Sequence, residues 1–254
     1  MLKLIKYDFI ELNKRIWLLY AAGIGCGLLV QLSSPLVNTR FDWVNGLFSI
    51  SGVLLAAGIL IGLLIFSWLA FKNHMFGKPA YLHHTFPVSL SATVGAWMIS
   101  SLLTNAIGVA AALAALYLST SYEDFYIDLF RNLSDYLNPW ILFLCLFLSQ
   151  VLKSTFEIFC GYAGMIIGFR KPGSKLGWSL LWGLVFYFAG SAALLGVISL
   201  FVESGIGMSI RENIPDFLDQ LSRLIYFTMA VYAVLTGSLA WFGCWRMNQG
   251  VDLE

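Results

Sequence analysis

The sequence predicts an all-α, polytopic membrane protein: a single domain over residues 1–254 with six transmembrane helices. Hydrophobic residues make up 59% of the chain and charged residues only 11%, whereas an average soluble domain has about a quarter charged residues. Six apolar runs are long enough to cross a bilayer core of about 30 Å, which takes about 20 helical residues. None shows strict polar/apolar alternation, so helices are favoured over barrel strands.

An amphipathic helix is predicted at residues 1–14, before the first span. Apolar side chains recur there at three- and four-residue spacing, and charged side chains occupy the other positions around the helix. This pattern is typical of a helix that lies at a membrane interface. The apolar positions are Leu2, Ile5, Phe9, Leu12 and Ile16.

The spans are predicted at residues 15–33, 46–71, 91–119, 139–169, 176–202 and 224–245. The first is interpreted as a retained helix, because it is long and is followed by Ser33, Ser34 and Pro35 without an Ala-x-Ala cleavage site. Small residues at four-residue spacing permit close approach between membrane helices. They are Gly23/Gly27, Gly58/Gly62, Ala106/Ala110/Ala114, Gly164/Gly168 and Ala189/Ala193.

Two charged residues, Lys153 and Glu157, lie one helical turn apart in the fourth span. A charge at this depth costs roughly 2.5–3.5 kcal/mol on insertion scales. The pair can neutralise itself at this spacing and face the bundle interior. It can also line a polar path, contact a second subunit, or lie at a bend near Gln150.

The basic residues predict the orientation of the bundle. With both termini in the cytoplasm, ten of the 15 basic residues fall on the cytoplasmic side, as the positive-inside rule requires. The net charge of +1 gives no indication of nucleic-acid binding. The ten residues are Lys3, Lys6, Lys14, Arg15, Lys72, Lys78, Arg170, Lys171, Lys175 and Arg246.

No catalytic, metal-binding or nucleotide-binding motif is predicted. His74, His83 and His84 fall in the second-to-third loop, where a solvated or interfacial role is expected. The stretch 168–175 resembles a phosphate loop only superficially, because its Lys and Ser are in the wrong order and a membrane helix precedes it. The chain is therefore not expected to be an enzyme or to hold a cofactor.

The loop between the second and third spans reads Phe-Gly-Lys-Pro-Ala-Tyr-Leu-His-His-Thr-Phe-Pro-Val-Ser over residues 76–89. It resembles the inner loop of bacterial ABC-2 type permeases, especially short six-span members from Firmicutes, which show Gly-Tyr-Leu-x-x-Thr-Leu-Pro-Val-Ser there. Ala80 replaces the usual Gly and Phe86 the usual Leu. The amino-terminal helix and the short basic turn at 170–177 are also similar to those permeases.

The resemblance implies an ABC-2 (type V exporter-like) bundle in the bacterial cytoplasmic membrane, surrounded by lipid. It implies that residues 72–90 form a coupling loop that docks on a separate ATP-binding subunit, present in two copies, which binds ATP and Mg²⁺. The second permease would be identical or homologous. The cargo would be an antimicrobial or other amphipathic peptide, a lipid or a hydrophobic drug. The expected contact residues are Gly77, Tyr81, Leu82, Phe86 and Pro87.

Two other classes remain as alternatives. An ion-coupled secondary transporter would use ionisable groups near mid-membrane, but the two halves of the chain show no evident repeat. An intramembrane enzyme would use Glu157 with Lys153 or a loop histidine, and it lacks a recognisable catalytic motif.

Overall fold

The computed structural model describes residues 2–33, 42–77, 89–119, 139–171, 173–201 and 214–249. Within these ranges the chain is helical and contains no strand, which confirms the predicted all-α class. The helices are α1 Leu2–Ser33, α2 Asp42–Phe76, α3 Leu90–Ser119, α4 Pro139–Gly168, α5 Lys175–Phe201 and α6 Ile214–Asn248.

Five of these helices contain a stretch long and apolar enough to cross a membrane, which confirms a multi-pass membrane protein. The stretches are Ser49–Phe76, Leu90–Ser119, Phe143–Gly168, Lys175–Ser199 and Ser222–Asn248. In α1, the segments Leu2–Lys14 and Ile16–Leu32 meet at 53° and pass the same test only together. The predicted six spans are therefore reached if this bent helix crosses the membrane as one span.

The bend in α1 coincides with the boundary predicted between the interfacial helix and the first span. Next to it, Asn13 donates hydrogen bonds from Nδ2 to the carbonyl oxygen of Phe9 at 2.9 Å and to Oγ1 of Thr104 at 3.0 Å. A side chain that bonds a carbonyl of its own helix competes with the backbone ladder, which bends helices. This contact gives a physical reason for the change of direction.

Helix α3 lies at the centre of the bundle and packs against α1, α2, α4 and α6. Half of the residues in its most apolar stretch are buried, against 6% for α5 and 11% for α6. Two buried clusters surround it. The larger includes Phe71, Trp97, Phe159, Tyr162 and Met247, and the smaller includes Ile16, Ile59, Leu63, Ala112 and Ala115.

Helices α4 and α5 cross closely because small residues face each other at the crossing. A Cβ atom on Gly164 would lie 2.5 Å from both the amide nitrogen of Gly183 and the carbonyl oxygen of Ser179. A Cβ atom on Gly168 would collide with Ser179. The Gly164/Gly168 repeat therefore permits the close approach that its spacing predicts.

Other small-residue repeats behave differently. Gly23 and Gly27 approach α2 and α3 closely, whereas a Cβ atom on Gly58 would meet open space. The repeats in α3 and α5 also permit close approach, but Ala110 and Ala114 are exposed in this chain, as are Ala189 and Ala193. These four alanines are therefore not covered by another described helix of this chain, because the four-residue spacing marks a face without determining its neighbour.

The ends of α3, α4 and α5 agree with the predicted spans to within one residue. Helix α2 is longer than its predicted span, because it begins at Asp42 and continues to Phe76. Helix α6 begins at Ile214, ten residues before the predicted start at 224. The described part of the predicted loop 72–90 is therefore helical at 72–76 and again at Leu90.

Candidate functional site

One end of the bundle, which we call the basal end, brings together α1, α3, α4 and α6. The hydroxyl of Ser100 donates to the carbonyl oxygen of Ile5 at 3.0 Å, and Arg170 donates to the carbonyl oxygen of Arg246 at 2.5 Å. Helices α2 and α5 have their basic ends there as well. Seven described basic residues lie near this end: Lys3, Lys6, Lys72, Arg170, Lys171, Lys175 and Arg246.

A cluster of titratable side chains joins α1 to α2 at the basal end. In this cluster His74 lies with Nε2 4.0 Å from Oδ1 of Asp8 and with Nδ1 3.8 Å from Oε2 of Glu11. The imidazole also packs on Trp97 of α3, with ring centroids 4.3 Å apart. Asp8 is 3% exposed and His74 6%, while Glu11 reaches solvent. The cluster fixes the segment Leu2–Lys14 of α1 against the last turn of α2.

The buried position of His74 corrects the sequence-based expectation that it is solvated or interfacial. It lies in the last turn of α2 because the helix continues past the predicted end of the span. The sequence contained one indication of this cluster: Asp8 and Glu11 are three residues apart and therefore share a face of α1. That spacing does not identify a partner 66 positions along the chain.

The buried carboxyl group of Asp8 should make the stability of the protein depend on pH. Burial, together with the nearby charge of Glu11, raises the pKa of Asp8 to about 7. The folded state therefore retains a proton that the unfolded state releases near its ordinary pKa. The stabilisation is present at low pH and is lost as the pH rises through about 7. We expect the melting temperature in detergent to fall by about 5 °C between pH 5 and pH 8.

Two substitutions test this dependence. Asp8→Asn removes the titrating carboxyl and should flatten the profile between pH 5 and pH 8. Glu11→Gln removes only the neighbouring charge, so the profile should keep its sign and move to lower pH. An unchanged profile in Asp8→Asn would show that another group, such as His74, controls it.

The predicted coupling loop leaves the bundle from a firmly packed helix end. Phe76 stacks on Phe169 with ring centroids 4.3 Å apart. The amide of Gly77 donates to the carbonyl oxygen of Asn73 at 3.1 Å, and a Cβ atom on Gly77 would collide with that oxygen. Glycine therefore allows the chain to leave α2 here. The other four expected contact residues, Tyr81, Leu82, Phe86 and Pro87, lie outside the described residues.

Lys153 and Glu157 lie one turn apart on α4 and their charges attract each other, but the two side chains differ in exposure. Lys153 is exposed and Glu157 is partly buried, and no ion pair of 4.0 Å or less joins these two described side chains. Glu157 lines a cavity of about 560 Å³ between α2, α4 and α5, whereas Lys153 does not line it. The bend considered near Gln150 is not seen either, because α4 is a continuous helix from Pro139 to Gly168.

Polar side chains deep in the bundle bond to one another, which sequence reasoning did not anticipate. Asn105 of α3 donates to the carbonyl oxygen of Val151 at 3.0 Å, and to the hydroxyls of Ser154 and Thr155 at 2.8 Å. One turn of helix separates it from a second connection, a 2.7 Å bond between the hydroxyls of Ser101 and Tyr162. These hydrogen bonds hold α3 against α4, so the polar side chains that make them have a structural role.

Comparisons of the chain with protein-family models, with curated proteins and with solved structures return no match.

Proposed function

We propose that this chain is the permease subunit of an ATP-driven ABC-2 type exporter. Its basal end would face the cytoplasm, so the basic residues there would obey the positive-inside rule. Two copies of a separate ATP-binding subunit would bind ATP and Mg²⁺. Two permease subunits, identical or homologous, would form a path for an amphipathic cargo such as a peptide, a lipid or a drug.

The observation that supports this proposal is the way α2 and α3 enter the loop 78–88. The last turn of α2 is held by α1 through His74 and by α4 through Phe76. At the other end of the loop, the carbonyl oxygen of Ser89 accepts the amide of Thr93 at 3.2 Å. A force applied to the loop would therefore reach three helices of the bundle. A coupling loop requires such a connection.

The sequence of the loop supports the same role. Tyr81, Leu82 and Phe86 supply aromatic and aliphatic anchors of the kind that dominate interface energetics. Pro87 restricts the backbone shortly before α3 begins. The sparsely buried surfaces of α5 and α6 leave room for lipid and for a second permease subunit.

Purification from the native host tests the proposal. A tagged chain extracted in mild detergent should co-purify with an ATP-binding-cassette subunit. The double variant Tyr81→Asp, Phe86→Asp should reduce the co-purified ATPase about tenfold or more, because two anchors of about 1 kcal/mol or more each would be lost. Cargo-stimulated ATP hydrolysis should decrease with it.

Ser174→Asp is the matched control for this experiment. Ser174 is exposed, and its carbonyl oxygen accepts the amide of Trp178 at the start of α5. Asp is as good as Ser at a helix start, so the control adds a charge near the basal end without disturbing the helix. Absence of an ATPase from the wild-type preparation, or an equal loss in the control, would contradict the proposal.

One observation favours the ion-coupled alternative, because the carboxyl group of Glu157 faces the cavity at mid-span. An ion-coupled transporter would lose transport when the ion gradient is collapsed with ATP present, and also in Glu157→Gln. The proposed exporter would keep its assembly with the ATPase in that variant.

A further inference from the structure

A groove between α2, α4 and α5 has an almost entirely apolar lining. Its cavity volume of about 560 Å³ lies within the usual range of small-molecule sites. Two side chains of charged residue types line it at distinct positions, Lys72 near the basal end and Glu157 far from it. The apolar walls include Leu64, Ile65, Leu69, Met165, Leu180 and Leu184.

The groove has the depth of one membrane leaflet. On α2 it extends from Lys72 to Leu64, and on α5 from Leu176 to Tyr187, which correspond to about 12 and 16 Å at the helical rise per residue. Half of a hydrocarbon core of about 30 Å is about 15 Å. The groove therefore begins at the basal interface and ends near the middle of the bilayer.

Two glycines, which have no side chain, and the fixed indole ring of Trp68 give the groove its shape. Gly161 and Gly183 line it and leave space between α4 and α5. The indole of Trp68 occupies the position that a Cβ atom on Gly161 would need, and it donates to the carbonyl oxygen of Ile158 at 3.1 Å. The groove is thus part of the packed structure.

The mouth of the groove is positively charged. Lys72 lines it, and the lining residues Phe169 and Leu176 are close in sequence to Lys171 and Lys175. No ion pair of 4.0 Å or less involves Lys72 or Lys171 among the described residues. An apolar groove of one-leaflet depth with lysines at its mouth is complementary to a molecule with an anionic head and a hydrocarbon chain.

We propose that this groove binds one acyl chain of an anionic phospholipid from the leaflet at the basal end, with the lipid phosphate at Lys72 and Lys171. Lysine binds phosphate as a point charge, and basic side chains at a membrane surface attract anionic lipids. The carboxyl of Glu157 marks the deep end, where the acyl chain would stop near the bilayer midplane. The site does not depend on the proposed transport function.

Native mass spectrometry of the chain, released from nanodiscs with equal amounts of phosphatidylglycerol and phosphatidylcholine, tests the site. We expect one retained phosphatidylglycerol per chain. Lys72→Gln should lower its retention about fivefold, the factor that corresponds to roughly 1 kcal/mol per basic residue near a membrane surface. Lys14→Gln, a substitution of an exposed lysine that does not line the groove, should leave retention unchanged.

A second variant tests occupancy of the groove without changing charge. Leu180 is 53% exposed and lines the groove, so Leu180→Trp should fill the space without disturbing the core, and it should reduce retention of both lipids. Equal retention of the two lipids by the wild type would overturn the proposal. The proposal would also be overturned if the wild type forms a dimer that the variants lose, because the groove would then be a contact between copies of the chain. If Leu180→Trp does not fold, the retention of phosphatidylglycerol by Lys72→Gln decides whether the proposal stands.

Discussion

Replacing Gly164 by valine is expected to prevent α4 and α5 from packing and to abolish most of the folded protein. Even the first atom of the new side chain would lie 2.5 Å from backbone atoms of Ser179 and Gly183, and 2.8 Å from the Cα atom of Gly183. Backbone cannot move aside as a flexible side chain can, so the helices must separate. Overpacking usually costs about 1–3 kcal/mol, and a clash with backbone should reach or exceed the upper end.

The loss should be large because membrane helices associate through close packing. Lipid is as apolar as the side chains, so no hydrophobic driving force compensates for a wider separation of the helices. The residues of α5 are mostly exposed, so its attachment to the bundle depends largely on α4 and secondarily on α6. Separation at Gly164 would therefore release α5 from its main contact.

Size-exclusion profiles and melting temperatures in detergent measure this effect. Gly164→Ala should give an intermediate loss, because its Cβ atom already meets the backbone. Gly58→Val and Gly196→Val are matched controls, since a Cβ atom at either position meets nothing within 4 Å. If the melting temperature of Gly164→Val equals that of the two controls, the α4–α5 crossing is not important for stability.

Tyr162→Ala is expected to destabilise the protein by about 3–5 kcal/mol, the range for truncating a large buried side chain. The side chain is fully buried and stacks on Phe71 with ring centroids 4.2 Å apart. Its hydroxyl lies 2.7 Å from that of Ser101 and accepts a hydrogen bond from Nε1 of Trp97 at 3.3 Å. The truncation would leave a cavity among α2, α3 and α4 and remove the partner of the Trp97 indole.

Tyr162→Phe separates the contribution of the packed ring from that of the hydroxyl group. It keeps the stacked ring and removes the hydroxyl, so we expect a loss of about 1–2 kcal/mol. Equilibrium unfolding in mixed detergent and denaturant would measure both variants. Tyr7→Ala, at a side chain that is 70% exposed in α1, is the control and should change stability little. Equal losses in Tyr162→Ala and Tyr7→Ala would contradict a central role for this ring.

Helix ends were predictable where the apolar run is bounded by polar or turn-forming residues. The ends of α3, α4 and α5 show this, because the change from apolar to polar composition coincides with the end of the helix. The end of α2 was not predictable in the same way. It continues into residues 72–76, where His74 lies against Asp8 of α1 in place of solvent.

The faces of the helices were much less predictable than their ends. In α3 the repeat Ala106/Ala110/Ala114 permits a close contact, yet Ala110 and Ala114 are exposed while Ala111 and Ala115 are buried. In a soluble helix, polarity distinguishes the outer face from the inner one. In a membrane both faces are apolar, so periodicity does not identify the packed side.

The candidate sites show the same limitation. The spacing of Lys153 and Glu157 predicted that they share a helix face, but only the tertiary structure places Glu157 in the groove and Lys153 outside it. Asp8 and His74 meet only because α1 crosses the end of α2. No local pattern contains that contact.

A helical, multi-pass membrane protein follows from the amino-acid sequence, since hydropathy and helix length depend on consecutive residues and on the thickness of a bilayer. Only the folded bundle shows the burial of His74, the partner that Gly164 of α4 meets on α5, and the groove lined by Lys72 and Glu157. These features depend on which helix lies beside which. Neighbouring apolar helices are chosen by shape and by a few polar contacts between residues far apart in the chain.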